Sequence, residues 1–327
     1  MSSPVDQDAF ATINRGFNQV FLPGRMTVGL VVPIERYDTS AVPTMADHVE
    51  RVQLAEELGF AATWLRDVPF NVPSFGDAGQ IYDPFVYLGL LAGVTTDIAL
   101  GVSSIILPLR HPAHVAKAAA SADALSAGRV ILGIASGDRP DEYPAMNVPY
   151  DERGARFRDS VSYIRRMAEL SPMFDSPFGA PDRPMDLLPK PTGDTLPLLV
   201  TGGSQQDPEW TARNGDGWML YPRDPATQAT IVADWRTRVA DAGLAPKPVM
   251  QPLYIDLADD PGARPQPIHL GFRLGIEPLR DLLHTLAGIG INHLAFNLRF
   301  NQAPIETTLK RLAAELLPDF PTEDPLR

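Results

Sequence analysis

Two glycine-rich turns carry residue types that can hold an anionic group. Each turn follows an apolar run that is typical of a strand: IASGDR contains Ser136 and Gly137, and TGGSQ contains Gly202 and Gly203. Exposed backbone N–H groups, hydroxyl groups and the positive end of a following helix favour a phosphate. A Gly-Gly pair after a strand is also a common tight turn, so either turn alone is a weak indication of a binding site.

Charged and aromatic side chains form a second group of candidates. Arg66 and Asp67 end the segment AATWLRD, and Asp67 is a candidate general base. An equally good interpretation of Asp67 is a salt bridge or a loop cap. Trp64 and Trp218 are both more typical of barrel filling than of ligand stacking, and Trp218 is the better candidate of the two for a ligand contact.

Two adjacent hydroxyl groups interrupt an otherwise apolar segment. Ser103 and Ser104 lie in DIALGVSSIILPLRHP, which reads as a buried strand. Their side chains are small, and a flat ligand can approach the backbone there. The alternative is that both hydroxyl groups bond to neighbouring carbonyl groups.

Composition excludes several kinds of site. The chain has no cysteine, and none of its 6 histidines has a carboxylate at metal-ligand spacing, so we expect no metal site. A net charge of −12 argues against nucleic acid or an anionic membrane as partner. Without a secretory signal or a long apolar run, we expect a cytoplasmic location.

The order of elements predicts the fold. Apolar runs that start near residues 27, 61, 98, 129, 197, 217, 249 and 292 alternate with helical patterns. Eight such units predict an α/β fold of the (β/α)8 TIM barrel type. We expect an N-terminal extension over 1–25, one domain over 26–327, and an insertion after strand four over about 137–196. A doubly wound open sheet is less favoured, because PIERYD rather than G-x-G-x-x-G follows the first strand.

Several long segments resemble the bacterial luciferase-like monooxygenases, a family of flavin- or F420-dependent oxidoreductases. The resemblance covers nearly the whole chain after residue 25. It is most specific over residues 96–143, TDIALGVSSIILPLRHPAHVAKAAASADALSAGRVILGIASGDRPDEY. It also includes GFAATWLRD, ERGARFRDSV, LPLLVTGGS, RNGDGWM and LGIEPLRDLLHTLAGIGINHLAFNLRF. The family fold is a TIM barrel with an insertion after strand four, which agrees with the order of elements.

The resemblance also implies a cofactor site at the carboxyl ends of the strands. It places a cis peptide at Ser103–Ser104 behind the flavin ring and the cofactor phosphate near the turns after strands four and five. The residues expected to bind cofactor are Ile34, Ser103, Ser104, Ala135, Ser136, Gly137, Arg139, Gly202, Gly203, Ser204, Gln205 and Trp218. Arg139 is also a candidate for a substrate anion. Arg66 and Asp67 replace a histidine pair of the true luciferases and are the catalytic candidates.

Three functions remain open. The first is a two-component monooxygenase that takes reduced FMN from a partner reductase and uses O2 on a small organic substrate. The second is F420-dependent hydride transfer, for which Arg139, Arg153, Arg156 and Arg183 would form a basic path for the polyanionic tail. The third is a flavin-binding homologue without turnover. The resemblance further implies a homodimer.

Overall fold

A computed structural model describes residues 9–322. Eight parallel strands form a closed barrel, because the last of them pairs with both the first and the seventh. The barrel strands are β1 Thr27–Val31, β2 Ala62–Leu65, β3 Ala99–Ile106, β4 Val130–Ala135, β5 Leu198–Thr201, β6 Gly217–Met219, β7 Val249–Leu257 and β10 His293–Asn297. The predicted TIM barrel is therefore confirmed.

All helices but the first follow a strand and lie around the outside of the barrel. The helices are α1 Arg15–Val20, α2 His48–Glu57, α3 Pro84–Val94, α4 Pro112–Leu125, α5 Glu142–Ala145, α6 Arg153–Ala168, α7 Pro208–Asn214, α8 Pro225–Asp241, α9 Ile276–Ile289 and α10 Ile305–Glu315. Within residues 9–322, every helix is too short or too polar to cross a bilayer. The interval from β4 to β5 holds α5 and α6 and then an irregular segment.

Two features of the fold escape the sequence pattern. A short hairpin of β8 Gln266–Ile268 and β9 Gly271–Leu274 pairs with the upper end of β7 beyond the barrel. The sequence pattern of residues 44–59 predicts a helix with Thr44 as its N-cap, but Thr44 does not cap α2. Its amide and hydroxyl groups bond to Glu35 instead, and α2 begins after Asp47.

The lower half of the barrel is packed shut. Phe17 and Phe21 of the N-terminal segment belong to the inner cluster together with Trp64. A Cβ atom on Gly101 would lie 2.2 Å from the Trp64 ring, so the indole fills space that only glycine leaves open. Trp64 thus fills the core, as its sequence context indicates, and any ligand must bind at the upper end.

Candidate active site at the carboxyl ends of the strands

The floor of the barrel mouth is made of small side chains. The Ser103–Ser104 peptide is cis, as the resemblance implies, and the β3–β4 register shifts at this point. Ser104 Oγ shares a short hydrogen bond with Thr201 Oγ1 on β5, whereas Ser103 Oγ lies 3.4 Å from the Leu65 carbonyl. With partly exposed Ala135 on the strand between them, these residues leave a shallow floor across β3, β4 and β5.

The turn after β5 presents unpaired amides. Among residues 9–322, the backbone N–H groups of Gly203, Ser204 and Gln205 have no hydrogen-bond partner. Gly202, Ser204 and Gln205 have a left-handed backbone conformation, with φ of 54°, 44° and 59°. Consecutive amides in such a turn form an anion-binding concavity. A Cβ atom added to Gly202 would contact nothing within 4 Å, so the space in front of the turn is open.

Neighbouring side chains hold this turn in place. Ser204 Oγ donates to the Thr201 carbonyl at 2.7 Å, and the Trp218 indole N–H donates to the Gly202 carbonyl at 2.8 Å. The Gln206 side-chain amide donates to the Gly154 carbonyl of α6 at 2.8 Å. The turn is therefore fixed before any ligand arrives. We call residues 202–205 the amide turn.

The turn after β4 has a different construction. Ser136 is buried, and its carbonyl accepts a short hydrogen bond from the Tyr143 hydroxyl. Gly137 has φ of 75°, and a Cβ atom there would lie 2.8 Å from Ile106. Arg139 points away from the amide turn, because its guanidinium stacks on Phe75 and donates to the Asp77 carbonyl at 3.0 Å. Burial lowers the pKa of Arg139.

Two residues that the sequence assigns to the cofactor point elsewhere. The Ile34 side chain is buried in the layer between barrel and helices. Trp218 packs against Trp235 of α8, with ring centroids 5.0 Å apart, which is outside the barrel wall. The expected direct ligand contacts of these side chains are therefore not supported. For Trp218 the reason is that alternate residues of a strand face opposite sides of the sheet, and its neighbour Met219 faces inward.

Asp67 forms a structural ion pair with Arg110. Its side chain is 1% exposed and accepts two hydrogen bonds from Arg110, at 2.7 and 3.0 Å, and one from the Ile106 amide at 3.0 Å. These three donors hold the Asp67 carboxylate against the β3 backbone. This geometry favours the salt-bridge interpretation over the general base.

The other half of the mouth is lined by large polar residues. Arg66 continues the inward-facing series of β2, and its Nη1 lies 2.7 Å from Asp77 Oδ2. Arg299, beyond β10, lies 3.0 Å from the same oxygen. Burial alone would lower the pKa of Arg66, but Asp77 and the phenol oxygens of Tyr254 and Tyr37 raise it overall. Asp77 was not identifiable from the sequence, because a loop residue carries no periodic signal.

The four arginines of the expected basic path do not come together. Arg183 is 78% exposed beside Asp182, and Arg139 is directed at the Phe75 loop. Arg153 and Arg156 lie on α6 on either side of Gly154, whose carbonyl accepts from Gln206, but Arg153 stacks on Tyr150 and Arg156 stacks on Phe178. Of the four arginines, only these two belong to a segment that contacts the amide turn.

Comparison with known sequences identifies the family. A sequence model described as luciferase-like monooxygenase matches residues 26–264. An uncharacterized protein of Mycobacterium tuberculosis is 28% identical over 282 residues, which are 81% of this chain and 92% of that protein. The F420-dependent hydroxymycolic acid dehydrogenase of the same species is 29% identical over 229 residues, 68% of this chain and 60% of that protein.

Solved structures share the fold. An F420-dependent secondary alcohol dehydrogenase in complex with an F420-acetone adduct has a TM-score of 0.73 at 18% identity, covering 92% of this chain and 100% of that chain. The oxygenating constituent of 3,6-diketocamphane monooxygenase from Pseudomonas putida, in complex with FMN, has a TM-score of 0.72 at 15% identity. It covers 90% of this chain and 98% of that chain. With the family match over most of its length, the chain belongs to the luciferase-like monooxygenase family of oxidoreductases.

Proposed function

We propose that this protein is an oxidoreductase that binds F420 at the mouth of its barrel. The observation that carries the proposal is the pairing of three unpaired amides in the amide turn with a floor of small side chains on the neighbouring strands. The amides suit a phosphate, and the floor at Ser103 and Ser104 suits a planar ring. When bound, F420 exchanges a hydride with a substrate carbon.

The residues present fit such a cofactor. Gly202 and Gly203 leave open space where larger side chains would stand, and Thr201 and Ser104 put hydroxyl groups beside the floor. Arg153 and Arg156 flank Gly154, whose carbonyl bonds to Gln206 beside the amide turn, and are the arginines that we propose for an anionic tail. In this proposal the chain's own residues bind the phosphate, orient the ring and line the substrate side with charged groups.

Two observations favour F420 over FMN. The related dehydrogenase with 29% identity is F420-dependent. The substrate side of the mouth is also strongly polar, with Arg66, Asp77 and Arg299 in contact. Hydride exchange with an alcohol or carbonyl group involves a proton, and hydrogen-bonding groups serve that reaction.

The second candidate is a monooxygenase that uses reduced FMN and O2. The similarity to the FMN-bound oxygenating constituent from Pseudomonas putida supports it. This candidate requires a reductase partner, whereas the F420 candidate does not. The floor of small side chains suits either ring.

The test is direct titration of the purified protein. We expect F420 to bind, with saturable quenching of its fluorescence, and to be reduced in the presence of at least one member of a panel of alcohols. Binding of reduced FMN with O2 consumption would favour the second candidate. Tight binding of either cofactor without turnover over the panel would indicate a binding protein, and no binding of any of them would refute the site.

A further inference from the structure

Two arginines that follow β2 and β10, the two neighbours of β1, converge on one carboxylate. Arg66 Nη1 and Arg299 Nη1 lie 2.7 and 3.0 Å from Asp77 Oδ2. The side chains of Arg66, Asp77 and Arg299 are 19%, 10% and 12% exposed, so the cluster is largely shielded from water. One carboxylate therefore faces two guanidinium groups.

Asp77 is ionised in this cluster. Its Oδ1 accepts hydrogen bonds from the Gly79 amide at 2.8 Å and the Tyr37 hydroxyl at 3.3 Å. Burial opposes ionisation of Asp77, but Arg66, the Gly79 amide and Arg299 outweigh it and hold the pKa of the carboxyl below its ordinary value. Two cations and one anion leave a positive charge at the substrate side of the mouth.

Several arginine donors remain unused. Among residues 9–322, Arg66 Nε and Nη2 have no hydrogen-bond partner, and Arg299 Nε is buried without one. Burial of charged donors without acceptors is costly. A guanidinium matches the two oxygens of a carboxylate or phosphate. Such a group would accept from the unused Arg66 donors and would offset the excess charge next to Arg299, whose Nη2 donates to the Ser40 and Gly76 carbonyls.

We propose that the substrate carries an oxyanion group that binds to Arg66 and Arg299, and that Asp77 competes with it for these arginines. The inference rests on the proposed function, since it names the substrate class of the same site. Asp77 lies on the loop between β2 and α3, whose Gly76 carbonyl also accepts a hydrogen bond from Arg299 at 3.0 Å. The loop thus supplies an internal anion that keeps the arginines aligned.

The experiment measures anion binding to the cofactor-free protein by ligand-observed NMR at low ionic strength. Benzoate and phenyl phosphate are the probes, and benzamide is the neutral control. We expect both anions to bind and benzamide not to bind, and the tighter anion identifies the preferred oxyanion. Arg66→Lys and Arg299→Lys keep the positive charge but lose the paired donors of the planar guanidinium. Each variant should therefore bind the preferred anion at least about fivefold more weakly.

The change in anion affinity of the Asp77→Asn variant distinguishes the proposal from a purely structural ion pair. Removal of the internal competitor should tighten anion binding about tenfold, whereas a purely structural ion pair predicts no gain. Arg280→Lys, in a more exposed pair with Asp319, is the matched control and should bind as the wild type does. Unchanged or weaker binding by Asp77→Asn, or equal binding by both lysine variants and the wild type, would overturn the proposal.

The cofactor is measured separately on the same proteins. Arg66→Lys and Arg299→Lys should bind F420 or FMN as the wild type does, because the amide turn lies on the other half of the mouth. If no cofactor binds while anion binding is intact, the proposed function is refuted and the anion site is still supported. If a lysine variant does not fold, as judged by circular dichroism, the gain or loss of anion affinity in Asp77→Asn still tests the proposal.

Discussion

At the scale of single residues, the size of the side chain at position 104 matters more than its hydroxyl group. Ser104 lies against Thr201 and 3.9 Å from Met219 Sδ. We predict that Ser104→Leu abolishes cofactor binding, because leucine fills the floor, while Ser104→Ala binds within about threefold of the wild type. Fluorescence titration of both variants, with thermal melts to confirm folding, checks this. Equal binding by the leucine variant would show that the ring lies elsewhere.

A buried histidine at the bottom of the barrel makes stability depend on pH. Trp64 donates to His293 Nε2 at 2.8 Å, so Nδ1 carries the proton and donates to Thr27 Oγ1 at 2.7 Å. Burial lowers the pKa of His293 to about 3. Because the unfolded chain binds this proton more readily, its contribution is complete above about pH 6.5 and is lost as pH falls towards 3.

The corresponding measurement is urea unfolding at several pH values. The free energy of unfolding should fall below pH 6.5 with a His293 contribution of up to about 1.4 kcal/mol per pH unit. His293→Gln keeps an acceptor for Trp64 but does not titrate there, so its slope should be smaller. An identical slope in the variant would assign the pH dependence to other groups.

At the scale of elements, the amide turn should discriminate by phosphate. A Cβ atom on Gly203 would meet only the Gln206 carbonyl, at 3.8 Å, so the free protein can accommodate a larger side chain. Gly203→Val should weaken FMN binding at least about tenfold and riboflavin binding far less, because valine blocks the space in front of the amides. Parallel titrations with the two flavins check this. Equal losses would remove the turn from the phosphate site.

At the scale of the whole molecule, helix α3 is unusually apolar for a helix that faces solvent on the outside of a monomeric barrel. Every residue of α3 is apolar or aromatic, and Val86 and Leu90 on its outer side are 73% and 45% exposed. A helix that is hydrophobic all round is normally buried. We propose that α3 packs against a second copy of the chain. An open α3 face would leave a patch of the kind that marks interaction sites.

Sedimentation velocity tests this arrangement. Val86→Lys with Leu90→Glu should shift a dimer to monomer at micromolar concentration, since charges would be buried at the interface. Thr237→Glu on the exposed side of α8 is the control and should leave the oligomer unchanged. A wild-type protein that sediments as a monomer would refute the dimer.

The sequence by itself determined the barrel and most of one half of its mouth. Strand spacing is local information, because apolar runs and glycine turns recur wherever a βα unit forms. The turn at Gly202 and the pair at Ser103 were therefore visible, and so was Trp64 as a filler. The resemblance added the cis peptide at Ser103–Ser104, which no spacing rule predicts.

Only the tertiary structure decided which side chains meet. Asp67 is a general base or a structural anchor depending on a partner 43 residues away in the chain, Arg110. Trp218 faces α8 because of its register in β6, which a single short strand does not reveal. Asp77 joins Arg66 and Arg299 through a loop of no regular pattern. Pairings between distant segments are set by packing, and the residue types alone do not encode them.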